Sequence, residues 1–177
     1  MEQKLGVQMS EEGLVKVCVE LPNHWAINSE TFWASPLGVD LYRLENVPFF
    51  AYGLSYLDIV RATRGADGIL QIQEVVEPSG HRTYRVRFEI TERERQEDLL
   101  MLLRPFGASL ERADSRIVAV DLPPTSDHLG VFDQLDELEA AGYLIFETCQ
   151  PRVDGSFDDA PDEEESRPPT SADGAGE

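Results

Sequence analysis

From Leu14 the chain alternates as LVKVCVEL, with Val15, Val17, Val19 and Leu21 on one side and Lys16, Cys18 and Glu20 on the other, as a strand with one buried face requires. Pro22 and Asn23 end it. A short aromatic strand is predicted over 30–35, stopped by Pro36 and Gly38, and a hairpin turn at Leu37-Gly38 leads to a second strand over 40–45. Residues 46–56 contain Pro48 and Gly53, which forbid a long element. Two β-branched runs, 57–63 and 69–77, flank Asp67-Gly68, a pair that favours a tight turn. Five short strands without a helix predict a small β-barrel-like unit over 14–78, because closing the sheet removes its exposed edges.

After Pro78-Ser79-Gly80 the period changes. A strand over 82–90 precedes a helix that begins at Thr91 with Glu94 three residues on, the spacing of a capping box. Leu99, Leu102, Leu103 and Phe106 form its expected apolar stripe, and Pro105 with Gly107 ends it. A hairpin is predicted about Asp114-Ser115, joining 110–113 to 116–122. A second helix then starts at Ser126 or Asp127, turns Val131, Phe132, Leu135 and Leu138 inward and stops at Gly142. The last strand is 143–149. The order strand, helix, strand, strand, helix, strand predicts a ferredoxin-like βαββαβ unit over 79–150, with both helices on one sheet face. The other face is left for solvent, the barrel or a partner. The fold class is therefore α+β.

From 151 to 177 the composition turns to Asp, Glu, Pro, Ser and Gly, with Phe157 the single aromatic, so ordering entropy would go uncompensated and a disordered acidic tail is expected. That segment holds nine acids and two arginines, so of the formal charge of −19 about −12 remains on the rest of the chain. Such a surface disfavours nucleic acid and anionic membranes and attracts a basic protein. The first 13 residues contain no hydrophobic run and no segment is long and apolar enough to span a bilayer, so a cytoplasmic protein is expected. Cys18 and Cys149 each fall among apolar residues, where a buried free thiol is the default.

The densest concentration of rings is early: Phe32, Trp33, Tyr42, Phe49, Phe50, Tyr52 and Tyr56 all lie between residues 31 and 60. Trp33, beside Phe32 in a strand, is expected in the core, with an interface anchor as the alternative role. His81 follows the flexible Ser79-Gly80 where the two units meet. It is the candidate catalytic residue, with a ring hydrogen-bonded to backbone across the junction as the structural alternative. Asn46 either contacts a ligand or caps a turn before Val47-Pro48. Arg43, Arg61 and Arg85 either grip an anion or pair with the surplus acids. No phosphate-binding loop, dinucleotide fingerprint, HExxH, CxxC or nucleophile elbow occurs, and His24, His81 and His128 lack the spacing of a structural zinc site. No cofactor and no metal are therefore expected.

Phe32-Trp33-Ala34-x-Pro36-Leu37-Gly38, Tyr42-Arg43-Leu44-x-Asn46-x-Pro48-Phe49-Phe50, Asp58-x-Val60-Arg61-Ala62 and Ser79-Gly80-His81-x-Thr83-x-Arg85-Val86 together resemble an uncharacterised family of short bacterial proteins, known only as a domain of unknown function. The resemblance spans roughly 14–149 and implies no activity or substrate. It also implies glycine where Leu57 stands and serine where Arg82 stands. The residues alone thus predict an acidic, non-enzymatic protein-binding or regulatory protein that neutralises a basic partner such as a toxin. The alternatives are a small hydrolase or nuclease using His81 as base with Arg61 or Arg85 stabilising charge, or a small-molecule sensor.

Overall fold

The structure is a computed structural model and describes residues 13–161. Five strands, β1 (Val15–Glu20), β2 (Ser29–Gly38), β3 (Leu41–Leu44), β4 (Ile59–Arg64) and β5 (Leu70–Glu77), close into a barrel in that order. Neighbours are antiparallel except at the seam, where β1 and β5 run parallel and meet at only Val17↔Leu70 and Cys18↔Gln71. Val15, Val17 and Val19 of β1, Phe32 and Ala34 of β2, and Val60 and Ala62 of β4 fill the interior. Successive side chains on a strand point to opposite faces. The Phe32-Trp33 doublet is therefore split: Phe32 is fully buried and Trp33 lies outside at 38% exposure, opposite Lys16, whose ammonium stands 5.0 Å from the ring centroid. This corrects the expectation that Trp33 belongs to the core.

The β2–β3 turn falls at Val39-Asp40, beyond the predicted Leu37-Gly38, and Asp40 adopts positive φ there. Leu57 also takes positive φ, at +65°. That left-handed backbone is one glycine adopts without the steric cost a leucine meets.

The second half runs β6 (Arg82–Phe88), α1 (Arg93–Met101), a single 3-10 turn (Arg104–Phe106), β7 (Ser109–Arg112), β8 (Ile117–Leu122), α2 (His128–Ala140) and β9 (Leu144–Thr148). Its sheet has the order β7-β8-β6-β9 with every pair antiparallel. Tyr84, Val86 and Phe88 of β6 share a core with Val118, Val120 and Leu122 of β8 and with Leu100, Val131 and Leu135 from the helices. The chain is thus a mixed α+β fold with a ring-like five-stranded sheet.

Sequence periodicity misplaces α1. It begins at Arg93 with Glu92 as N-cap and no side-chain cap, so the Thr91–Glu94 box does not form. The buried stripe is Gln96, Leu100 and Leu103, while Leu102 is exposed and Leu99 only partly buried. A polar residue sets this phase: the Gln96 side-chain amide donates to the Ile90 carbonyl at 2.8 Å and fixes the helix entry. Helix α2 is capped as predicted, with the Asp127 carboxylate accepting from the Gly130 amide at 3.0 Å. Phe132, however, is 41% exposed and lies against the rings of Tyr84 and Phe146 at the rim of the core.

The expected tail is ordered at its start. Over 151–161 the chain straps the barrel: the Phe157 carbonyl accepts from the Tyr52 amide at 2.9 Å, and the Asp158 carboxylate from the Asn23 amide at 2.7 Å. Phe157 packs on the barrel core. Residues 162–177, the rest of that expectation, lie outside the described residues. Among the described residues no helix is long and apolar enough to cross a membrane.

Candidate functional site

The sheet face away from the helices meets the barrel loop 46–58, and the contact is made by charge and aromatic rings. Arg85 projects from β6 and is almost fully buried. Its Nη1 donates to Glu147 at 2.6 Å and to the Tyr52 hydroxyl at 3.3 Å, and its Nη2 to the Cys149 sulfur at 3.7 Å. Arg152, in the strap, donates to the other Glu147 oxygen at 2.6 Å. Both guanidiniums stand 4.9 Å from the centroid of the buried Tyr52 ring. Cation–π contacts strengthen when desolvated, so Tyr52 ties barrel, sheet and strap together. Burial pushes the Cys149 thiol up to about 11, which leaves it protonated and unreactive near neutrality.

Tyr52 reaches this position because its loop is held from beneath. Glu30 points into the barrel end, and its carboxylate accepts from the amides of Phe49, Phe50 and Ala51 at 2.6, 3.0 and 2.7 Å. The same loop presents Asp58, which accepts from the Ser55 and Ser79 amides at 2.8 and 2.7 Å.

His81 stands at the other end of the junction. Gly80 takes φ +83°, and a Cβ there would meet Pro124 at 3.0 Å, so the turn that delivers His81 needs glycine. The Nδ1 nitrogen of His81 lies 2.9 and 3.0 Å from the two oxygens of Asp121 on β8, and the Tyr56 ring meets the imidazole edge-on at 5.4 Å. The partner of the ring is thus a carboxylate and not the backbone expected of it. The contact with Asp121 holds the imidazole ring in place at the junction. A pocket of about 390 Å³ opens here, lined by His81 together with Ser55, Asp58, Arg82, Thr83 and Gln150.

The other sequence candidates do not converge on it. Asn46 accepts from the Trp33 amide at 2.7 Å, fastening the loop to β2. Arg61 is on the barrel exterior, paired with Glu74 at 2.9 Å, and Arg43 pairs with Glu45 at 2.8 Å. Arg85 is committed to Glu147 and Tyr52. The arginine beside His81 is Arg82, which sequence reasoning passed over, as it did Tyr52, Glu30 and Glu147. Cys18 and Cys149 are both buried and free. Among the described residues no group of three or more His, Cys, Asp or Glu side chains is placed to hold a metal ion.

Burial holds Glu30, Asp58 and Glu111 above the ordinary carboxylate range. Each binds its proton more tightly folded than unfolded, so the stability it gives is complete below the ordinary value near 4 and is lost as pH rises through the folded value. His24 opposes them: burial lowers it from 6.5, so its contribution is present above that value and is lost as pH falls through the folded one. With His24 replaced by glutamine the carboxylates are left unopposed, and thermal unfolding of that variant at constant ionic strength should show a higher Tm at about pH 5 than at about pH 7.5. A Tm that rises from about pH 5 to about pH 7.5 contradicts the assignment.

Comparison with known proteins adds a family and a fold. The model of DUF4265, a domain of unknown function, matches residues 30–146. The crystal structure of a hypothetical protein from Neisseria gonorrhoeae is similar to this chain with a TM-score of 0.67, at 20% identity over 76% of this chain and 93% of the other. At that identity the likeness is one of fold. No curated protein matches.

Proposed function

Starting from the DUF4265 family, to which this chain belongs, we propose that the protein works by binding another protein through an acidic surface, its partner being basic, as a toxin to be neutralised would be. One observation carries the reading. Residues 127–140 hold Asp127, Asp133, Asp136, Glu137 and Glu139 and no lysine or arginine. Asp133, Asp136 and Glu137 are exposed and have no ion pair among the described residues, and Leu129 and Phe132 are exposed beside them. On α1, by contrast, Arg93 and Arg95 stand among the three acids Glu94, Glu97 and Asp98, and Glu97 is paired with Arg93 and Arg112. On α2 the field is left uncompensated, which speeds encounter with a cationic surface and supplies apolar contact once the partner arrives.

The second unit is read as a ferredoxin-like βαββαβ module. Its element order and its sheet order β7-β8-β6-β9 support this. A cytoplasmic location belongs to the same reading and is supported by two buried cysteines left unpaired.

The test is affinity capture from a lysate with the wild type and with the triple variant Asp133→Lys/Asp136→Lys/Glu137→Lys. A basic protein should be retained by the wild type at low salt, released at high salt and not retained by the variant. Retention of nothing at low salt, or of the same protein regardless of salt and of the triple change, contradicts the proposal.

A further inference from the structure

Strand β9 is an outer strand of the second sheet, and its far side is not closed by another strand. In an antiparallel ladder, residues that bond to the neighbour alternate with residues that turn their backbone groups away from it. The Cys149 amide donates to the Thr83 carbonyl at the start of β6 at 3.0 Å. Ile145 and Glu147 therefore bond inward with it, and Leu144, Phe146 and Thr148 turn their amides and carbonyls outward. The Phe146 amide meets the Glu139 carboxylate of α2 at 3.1 Å, an acceptor standing where a neighbouring strand would put a carbonyl. On that outer side the Phe146 carbonyl and both backbone groups of Thr148 have no hydrogen-bond partner among the described residues.

The two flanks of this edge differ. Phe132, Asp136 and Glu139 are spaced i, i+4, i+7 and form one stripe of α2. Phe132 lies 5.4 Å from the Phe146 ring and Glu139 reaches the Phe146 amide, which sets the stripe along β9. Asp136, between them, is exposed and has no ion pair among the described residues. Ile145 points to the opposite face, where it is exposed and lines a groove of about 280 Å³ with Trp25 and Ile117. Charges on that face are already matched, Arg87 with Glu89, and Arg85 and Arg152 with Glu147. One flank is thus acidic and the other apolar. Natural sheets shield an outer strand with lysine, proline or a bulge, and β9 has neither residue and an unbroken register.

We propose that the partner binds as an added strand on β9, through an extended segment in which cationic and apolar residues alternate. Its backbone pairs with Phe146 and Thr148, its cations meet Asp136 and the Glu139 carboxylate that the incoming carbonyl displaces, and its apolar residues lie beside Ile145 and Trp25. Main-chain bonds hold such a strand and its alternate side chains select it. The proposal rests on the acidic reading of α2 and adds how the basic partner is held. A second copy of this chain is the wrong occupant, because it would bring a second set of the same carboxylates against Asp136 and Glu139.

The experiment is isothermal titration of the full chain at low salt with a short blocked peptide alternating lysine and valine, and with two N-methylated forms of it. Methylating the lysine amides blocks an antiparallel added strand, and methylating the valine amides blocks a parallel one, while charge is kept in both. The parent peptide should bind, one methylated form should bind about tenfold more weakly, and the other should match the parent. Thr148→Pro removes an outward amide at a position where an outer strand tolerates proline, and should weaken the parent peptide about tenfold. Equal binding of all three peptides overturns the added strand; its loss in Asp133→Lys/Asp136→Lys/Glu137→Lys would then leave the acidic reading of α2 standing. No binding of the parent peptide also overturns the added strand, and the lysate capture judges the acidic face by itself. A dimer of the chain alone in sedimentation, dissolved by Thr148→Pro, assigns the edge to a second copy and overturns the proposal as well.

Discussion

Replacing Glu30 by alanine should cost about 3–5 kcal/mol of unfolding free energy, at the top of the range for single substitutions. Its carboxylate is the acceptor for three consecutive amides, those of Phe49, Phe50 and Ala51, and Glu30 is itself only 8% exposed. Truncation leaves three donors facing a cavity that an alanine does not fill. The burial of the acid works against its charged form, and the three amides favour that form. Glu30→Gln should therefore lose less, about half as much, since its amide oxygen still accepts while its NH₂ confronts a remaining donor. Urea unfolding of the two variants reads this directly. A loss below about 1 kcal/mol for alanine would mean that water replaces the carboxylate at little cost and that the loop does not rely on it.

The second large effect belongs to Arg85. Arg85→Met preserves most of the apolar stem and removes the guanidinium that faces Glu147, Tyr52 and Cys149. Breaking a buried pair generally costs about 3–5 kcal/mol because one charge is left stranded. Here Glu147 is about a third exposed and keeps Arg152 as a partner. The expected loss is therefore smaller, about 2–3 kcal/mol. The more telling consequence is mechanical. With Arg85 gone, Tyr52 loses one of its two guanidinium neighbours and the barrel loop loses its strongest tie to β6, so the two cores should begin to unfold at different denaturant concentrations. An Arg85→Met protein as stable as the wild type would show that the ion pair merely breaks even with an apolar contact.

Much of the architecture was legible because strands and helices differ in period. Val15, Val17 and Val19 announce β1, and Asp127 with the apolar spacing that follows it announces α2. Errors arose where one polar residue outweighs a pattern. Glu30 and Trp33 exchange the faces their chemistry suggests, because the alternation that buries Phe32 leaves no choice once three loop amides need a carboxylate inside. Gln96 likewise shifts the phase of α1 by bonding to Ile90. The strap at 151–161 reads as tail by composition. It is ordered because the amides of Asn23 and Tyr52 need acceptors that Asp158 and Phe157 supply.

The candidate site was legible only in part. His81 stood out through its chemistry and the turn before it, yet Asp121, which holds it, is forty residues away. Tyr52, Arg85 and Glu147 are separated by 33 and 62 residues, and no spacing rule joins them. Arg82 could not be told from its neighbours, because its place at the lining of the junction pocket follows only from the folded chain.

Two separate cores are held together at the junction by Tyr52, Arg85, Glu147 and Arg152. Both tryptophans, Trp25 and Trp33, lie in the barrel half, and the described α-helices, α1 and α2, lie in the other. Urea unfolding of the wild-type protein followed at once by tryptophan fluorescence and by far-ultraviolet circular dichroism therefore weights the two halves differently, the helices entering the second signal alone. Coincident midpoints and slopes are predicted, and two displaced transitions in the unmodified chain would contradict a junction that binds the halves into one cooperative unit.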